Sequence, residues 1–506
     1  MRKLATILMI IPFLLFCDLK AGAVEKEERT WQDESIYHIM VDRFMNGSNS
    51  NDHNVDPEDP EAYHGGDLQG IIEQLDYIKE MGFTTISLSP IMANSEKGYH
   101  GKWIEDFTAV EEHFGTVADA KQLVEEAHKR DMKVIFEFVV NHTSKDHPWL
   151  DEEGKEDWFH EKQPTTDQIE DGWKSGLPDL NTENPEVKQY LFEAAEFWIE
   201  ETGVDGYRLD SVSYVPREFW ADFSQHVKSV KEDFLLLGEV KSNDVETIAD
   251  YQSTGIDTFV NYPFYQTASE TFKEAGHPLD ELYIVWEQSK QNFDSPQLLG
   301  NFLDYEDSAR STRLAVKAGQ NPITRWKLGL TYLFTSPGIP MIYYGSEIPL
   351  DGAEPPANRK MMDFKAQNEK LNQRIGKLNS IRNEFPALTR GDFEELHNQD
   401  GLAVFKRTYN DETMIVAINN GTETQTAELT DLPDDRQMRG LLQDGLVRQS
   451  DDGIYKLGME RETADVFVIE PDQGYNWSFI AFVGGVMLLF VGSVITISIK
   501  NRRSDQ

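Results

Sequence analysis

The sequence predicts an α/β protein: a (β/α)8 TIM barrel with a small subdomain inserted after strand three, then an antiparallel β domain and a single C-terminal transmembrane helix. Three observations predict it. From about residue 34 to residue 385, short apolar runs alternate with helical patterns, giving eight candidate strands. After Phe385-Pro386 the pattern becomes short alternating segments divided by turn residues. Residues 479–499 then carry no charge and are long enough, as a helix, to cross roughly 30 Å of hydrocarbon.

The elements follow in order. Residues 36–41 read as the first strand, and 70–81 place Ile71, Leu75 and Ile78 at helical spacing. Residues 84–88 are a second strand and 118–130 a second helix. Residues 134–140 are apolar and β-branched, as expected of a parallel strand covered on both faces. Further strands fall at 206–209, 234–237, 258–260, 298–303 and 339–343. An open doubly wound sheet competes with the barrel, but no Gly-rich phosphate loop follows the first strand. The connection from Val140 to the helix at Asn184 is rich in Asp, Glu, Trp and Gly, and such length is usually functional. It reads as an inserted subdomain, 141–183, dividing the barrel into 24–140 and 184–385. The β domain, 386–470, contains the strand-like runs 402–405, 414–418 and 465–469, with turns at Asn410-Asp411 and Asn419-Asn420-Gly421.

The two ends read as targeting segments. Arg2 and Lys3, the apolar run 4–16 and Ala21-Gly22-Ala23 predict a signal peptide over 1–23. The only cysteine, Cys17, lies inside it. Lipidation of Cys17 is the alternative, disfavoured by the bulky Phe16 before it. Cleavage after Ala23 leaves no cysteine, so disulfides play no part in stability. After the linker 471–478, the helix 479–499 is flanked by Trp477 and by Lys500, Arg502 and Arg503 in a cytoplasmic tail, 500–506. A buried core helix is the bland alternative. The expected location is the cell membrane, single-pass, with the catalytic domain extracellular. The formal charge of −41 makes a nucleic-acid partner untenable and suits a solvated, aggregation-resistant surface. Oligomeric state is not legible.

Polar residues at the C-terminal ends of barrel strands build the active site in such folds. Strand three runs into Glu137 and then Asn141-His142. Strand four gives Gly206-Tyr207-Arg208-Leu209-Asp210, strand five ends in Gly238-Glu239, and strand seven in Asp304-Tyr305-Glu306-Asp307. Converging carboxylates suit glycoside cleavage, in which one attacks the anomeric carbon and another protonates the leaving oxygen. Arg208, two residues before Asp210, points to the same face and keeps it ionised. Taken singly, an Asp after a strand is more often a cap or turn residue.

Together these motifs resemble glycoside hydrolase family 13, the α-amylase family, over nearly the whole mature chain. The resemblance implies Asp210 as nucleophile, Glu239 as general acid/base and Asp307 as transition-state stabiliser. It implies a substrate-binding set of His100 (in Tyr99-His100-Gly101), His142, Arg208 and Arg359, to which Lys102 and Glu306 are added at the positions they occupy. It also implies Ca2+. One site would use Asn141, Asp179 (in Leu177-Pro178-Asp179-Leu180-Asn181) and the carbonyl of Tyr214. A second, like that of cyclodextrin glucanotransferases, would use Asn46, Asn51, Asp52, Asp67 and the carbonyl of Gly65. For the stretch Asn46 to Asp52 alone, an ordinary polar loop is the simpler reading.

Several positions depart from the family pattern. Tyr305-Glu306 stands for the usual Asn-His, Lys102 for a common Tyr, Glu137 for an Asp and Ser213-Tyr214 for a basic-His pair. Pro355 and Ala357 stand where acidic residues are often found. Glu306 beside Asp307 leads to the expectation that one of the two is protonated near neutral pH. Lys102 is expected to pair with Glu306 as a charge swap. Three readings stay open: a retaining hydrolase of α-1,4-glucosidic bonds in starch-like glucans or maltooligosaccharides; a maltodextrin transglycosylase or cyclomaltodextrinase-like enzyme; and a non-catalytic carbohydrate-binding surface protein on the same fold.

Overall fold

Eight parallel strands form the barrel: β1 (Ile36–Ile39), β2 (Thr85–Leu88), β3 (Lys133–Phe138), β4 (Gly206–Leu209), β5 (Leu235–Gly238), β6 (Thr258–Phe259), β7 (Gly300–Phe302) and β8 (Ile339–Tyr343). The computed structural model describes residues 28–161, 176–366, 368–430, 432–472, 474 and 477–504. Met1–Trp31 is a unit by itself, and the barrel and β domain lie in the second unit, Gln32–Gln506. The expected signal peptide, with Cys17, and residues 162–175 of the inserted subdomain lie outside the described residues.

The strands are ordered 6-5-4-3-2-1-8-7, and a parallel bridge between Val260 and Gly300 closes the ring. Register sets which side chains share the interior. Glu137 lies beside Arg208, Arg208 beside Leu237, and His38 beside Ser87 and Tyr343. A Cβ on Gly300 would come 2.6 Å from Met341 Sδ and 3.6 Å from Leu237, so these three share the barrel interior. Buried alternate residues such as Tyr37, Ile86 and Tyr207 face the helical layer in one continuous core. Its helices are amphipathic and capped. Thr116 and Asp119 form a capping box on Val117–Lys129, and Asp67 caps Leu68–Glu80 through the Gly70 amide at 2.6 Å.

The expected strands are present but shorter. Met40 precedes a 3-10 turn, Val41–Arg43, and Pro296–Leu298 is another such turn in place of the start of 298–303. Proline lacks the N–H that a ladder needs.

The C-terminal domain has a six-stranded antiparallel sheet and a two-stranded one, Gln425–Leu429 with Tyr455–Met459. Period-two alternation buries both faces of its central strands. Leu402, Val404, Ile415 and Ala417 enter the domain's own core, while Ala403, Phe405, Met414 and Val416 join the barrel core. The expected transmembrane helix is overturned. The C-terminal helix Trp477–Ser504 forms, but among the described residues no helix is long and apolar enough to cross a membrane. The expected single-pass membrane location, and the extracellular placement derived from it, fall with the anchor.

Candidate active site

The ladders of β3 to β5 continue one residue past each strand and so fix the acids that follow. The Asp210 amide donates to Phe138 O at 3.2 Å and the Glu239 amide to Leu209 O at 2.9 Å. Asp210 and Glu239 are thus projected side by side from adjacent staves. Carboxylate oxygens of Glu137, Asp210 and Glu239 all lie within 4.8 Å of one another. All three residues and Glu306 are buried, while the Asp307 side chain keeps 31% exposure.

Four cations are interleaved with these five acids. Arg208, completely buried, donates to Glu137 Oε2 at 2.8 Å, to Glu239 Oε2, and to Glu306 Oε1 at 3.4 Å, with its guanidinium 4.7 Å from the Tyr305 ring. Lys102 Nζ lies 3.0 Å from Glu137 Oε1, 3.0 Å from Asp210 Oδ1 and 2.8 Å from Glu306 Oε1. The expected pairing of Lys102 with Glu306 is present. Lys241 bridges Glu239 Oε1, at 3.2 Å, and Asp307 Oδ2. Arg359 donates to Asp307 Oδ1 at 2.9 Å and to the Glu306 carbonyl at 3.0 Å.

This arrangement corrects the expected protonation of the Glu306–Asp307 pair. Burial favours the neutral form of both. For Glu306 the Lys102 and Arg208 charges outweigh it, and for Asp307 Lys102 and Lys241 do, so both are held below the usual carboxylate range. The group pushed up is Glu137: burial raises it to about 8 despite Arg208 and Lys102. Burial would also discharge Lys102, but Asp210, Glu137 and Glu306 hold it charged. His100 is lowered to about 3, by desolvation first and then by Arg359 and Lys102, so its imidazole is neutral.

Gly101 makes the turn that delivers Lys102. Its φ is +82°, and a Cβ there would come 2.2 Å from Pro90 O. His100 Nδ1 accepts from the Lys102 amide at 3.1 Å, and its ring packs edge-on to Trp103. His142 is buried beside Asn141 and forms a β-bridge with Asp179.

Sequence reasoning missed five contributors. Lys241 follows Glu239 by two residues, so the same alternation rule that paired Arg208 with Asp210 would have found it. Tyr262 and Tyr305 hydroxyls donate to Glu239 at 2.8 and 2.7 Å. Ser211 Oγ donates to Asp210 Oδ2, and His38 Nε2 lies 3.8 Å from Glu306 Oε2.

Both expected calcium donor sets converge. Asn141 Nδ2 lies 2.6 Å from Asp179 Oδ1 and 3.3 Å from Tyr214 O, with His160 Nδ1 2.7 Å from Asp179 Oδ2. In the second set Asn46 Nδ2 reaches both Asp52 oxygens, at 2.8 and 3.0 Å, and Asn51 Nδ2 lies 3.4 Å from Asp67 Oδ2. Gly65, at φ +90°, closes against Asn46 and Asp52, which a Cβ would meet at 2.8 and 2.9 Å. Asn51 Oδ1 is buried without a hydrogen-bond partner, an orphaned oxygen of the kind a hard cation takes. The residues fit the ion.

Residues 38–387 match the family model for the α-amylase catalytic domain, and 391–467 that for an α-amylase C-terminal domain. A crystal structure of an Anoxybacillus α-amylase, described as a new glycosyl hydrolase subclass, is 55% identical with a TM-score of 0.87, covering 88% of this chain and 100% of that one. A cyclomaltodextrinase of Thermoanaerobacter pseudethanolicus is 33% identical over 468 residues, 88% of this chain and 77% of the relative. A β/α-amylase of Paenibacillus polymyxa is 38% identical over 422 residues, 78% of this chain, which spans about a third (34%) of that protein's length. Barrel, convergent acids and family match agree: this chain belongs to the α-amylase family and is a glycosyl hydrolase.

Proposed function

We propose that the chain hydrolyses α-1,4-glucosidic bonds of maltooligosaccharides and cyclic maltodextrins by double displacement, in the manner named for its cyclomaltodextrinase relative. The observation that carries the mechanism is the closeness of Asp210 and Glu239, one carboxylate oxygen of each lying within 4.8 Å of the other. Retaining glycosidases hold their two carboxyls about 5–5.5 Å apart, while inverting ones need roughly 6.5–9.5 Å to admit a water. Asp210 attacks the anomeric carbon. Glu239, oriented by Tyr262 and Tyr305, gives a proton to the leaving oxygen and then removes one from the incoming water or sugar hydroxyl. Asp307, fixed by Lys241 and Arg359, faces the developing positive charge. Starch is the second reading, favoured by the 55% identity to an α-amylase.

Calcium would be held by Asn46, Asn51, Asp52, Asp67 and the Gly65 carbonyl, and by Asn141, Asp179 and the Tyr214 carbonyl. Bound there, it would tie loops beside the barrel together and would take no part in bond breaking. The test of the reaction is chromatography of products from maltoheptaose, a cyclodextrin and soluble starch, with wild type, D210N and E239Q. Oligosaccharides and cyclodextrin turned over faster than starch, with about a 10³-fold loss in each variant, support the proposal. Variants as active as wild type overturn the assigned roles, and starch cleaved far faster than cyclodextrin favours the second reading.

A further inference from the structure

We propose that Lys102 is not a sugar contact but a positioning residue, an internal cation that fixes the attacking carboxylate of Asp210 against Glu306 and Glu137. The proposal rests on Asp210 being the nucleophile. An ammonium has three donors and no acceptor. Here three carboxyl groups surround it at 2.8 to 3.0 Å, with its hydrogen bond given to Asp210 Oδ1 at 3.0 Å, so the ammonium is already engaged by the protein's own acids. The place is one that a metal ion would otherwise suit, since His38, Glu137 and Glu306 also offer ligand atoms within 4.8 Å of one another, and the lysine fills it.

The anchor behind the ammonium is rigid. Glu137 and Glu306 are completely buried and both are held by Arg208. The Glu306 backbone is held in turn, its carbonyl accepting from Asn358 at 2.7 Å and from Arg359 at 3.0 Å. The approach is rigid too. Asn94 pins the loop from both sides, donating to Gly101 O at 3.1 Å and accepting from the Trp103 amide at 2.7 Å. Asp210 is thereby held at both oxygens, Oδ1 by Lys102 and Oδ2 by Ser211.

A lone cation here would oppose the positive charge that develops on the sugar, and Glu306 cancels it. Lys102 and Glu306 therefore act as one neutral unit. K102M leaves Glu306 as an extra buried anion beside a loosened nucleophile. E306Q leaves the ammonium free to draw onto Asp210. Removing both leaves neither unbalanced charge, and Asp210 keeps its bond from Ser211.

The experiment measures kcat and KM of the full chain on maltoheptaose for wild type, K102M, E306Q, K102M/E306Q and D210N. Each single variant is expected to lose about 10²-fold in kcat with KM changed less than about threefold. The double variant is expected to exceed either single, so that the effects do not multiply. A K102M variant with raised KM and wild-type kcat would make Lys102 a sugar contact and overturn the proposal, as would effects that multiply. If K102M does not fold, E306Q against the double decides: a double slower than E306Q overturns it. D210N as fast as wild type removes the nucleophile reading itself. With D210N inactive, any of the other adverse outcomes rejects only the role of Lys102.

Discussion

Replacing Glu137 by Gln removes a carboxyl that burial pushes up to about 8, against roughly 4.3–4.5 for an unperturbed glutamate. A group at about 8 is roughly nine-tenths protonated at pH 7 and one-tenth at pH 9. The folded state binds this proton more tightly than the unfolded chain does. The associated stability is therefore complete below the unfolded value near 4.5 and is lost as pH rises through 8. A displacement of several pH units amounts to a few kcal/mol in all, of which on the order of 1 kcal/mol falls between pH 7 and pH 9. Arg407, lowered by burial to about 9, also titrates there, so it is the comparison with E137Q, in which every other group is shared, that isolates Glu137. Glu306 and Asp307 are held low, so their contribution is already complete above the unfolded values. His38 and His100 are lowered and stay neutral there, and Asp42, raised to about 6, has finished titrating. Infrared titration should show a carboxylic-acid carbonyl component at pH 7 that fades by pH 9 in wild type and is missing in E137Q. Urea unfolding at the two pH values should show the wild type losing on the order of 1 kcal/mol more than E137Q. An unchanged acid band in E137Q, or equal losses of stability, would refute the placement of the proton.

Y262F removes a hydroxyl that donates to Glu239 Oε1 at 2.8 Å, and kcat should fall about tenfold, the rate equivalent of one hydrogen bond to a charged group; a wild-type rate on maltoheptaose would contradict the orienting role. Calcium added to chelator-treated protein should raise the melting temperature, and N51L, which removes the orphaned buried oxygen, should shrink that rise. An equal rise in N51L would exclude the second donor set.

The barrel was legible because parallel strands covered on both faces must be apolar along their length, and β1 to β5 each show it. Strand ends were less legible: Met40-Val41 and Leu298-Leu299 are as apolar as the strands they adjoin but turn away in 3-10 geometry. The acids were legible wherever the chain itself supplies the support, as at Leu209-Asp210 and Gly238-Glu239. Tyr262 carried no such signal. It opens the helix after β6, and only the pairing of β6 with β5 brings it beside Glu239. The protonation of the Glu306–Asp307 pair was misread because adjacency in sequence says nothing of cations arriving from Lys102, Arg208 and Lys241. The anchor was misread because a charge-free run was counted as one membrane-spanning length.

The ion pairs also explain how such an acidic chain keeps its acids usable. Burying a carboxylate without a partner shifts it to the neutral form, and a neutral carboxyl can neither attack an anomeric carbon nor face a cationic transition state. The barrel interior meets this by placing every cation between acids: Arg208 between Glu137 and Glu239, Lys102 between Asp210 and Glu306, Lys241 between Glu239 and Asp307. Lys102, Arg208 and Lys241 thereby keep Glu306 and Asp307 ionised where the sugar enters. The positive charge that forms on bond breaking meets carboxylates already ionised and already fixed, so little reorganisation accompanies the step.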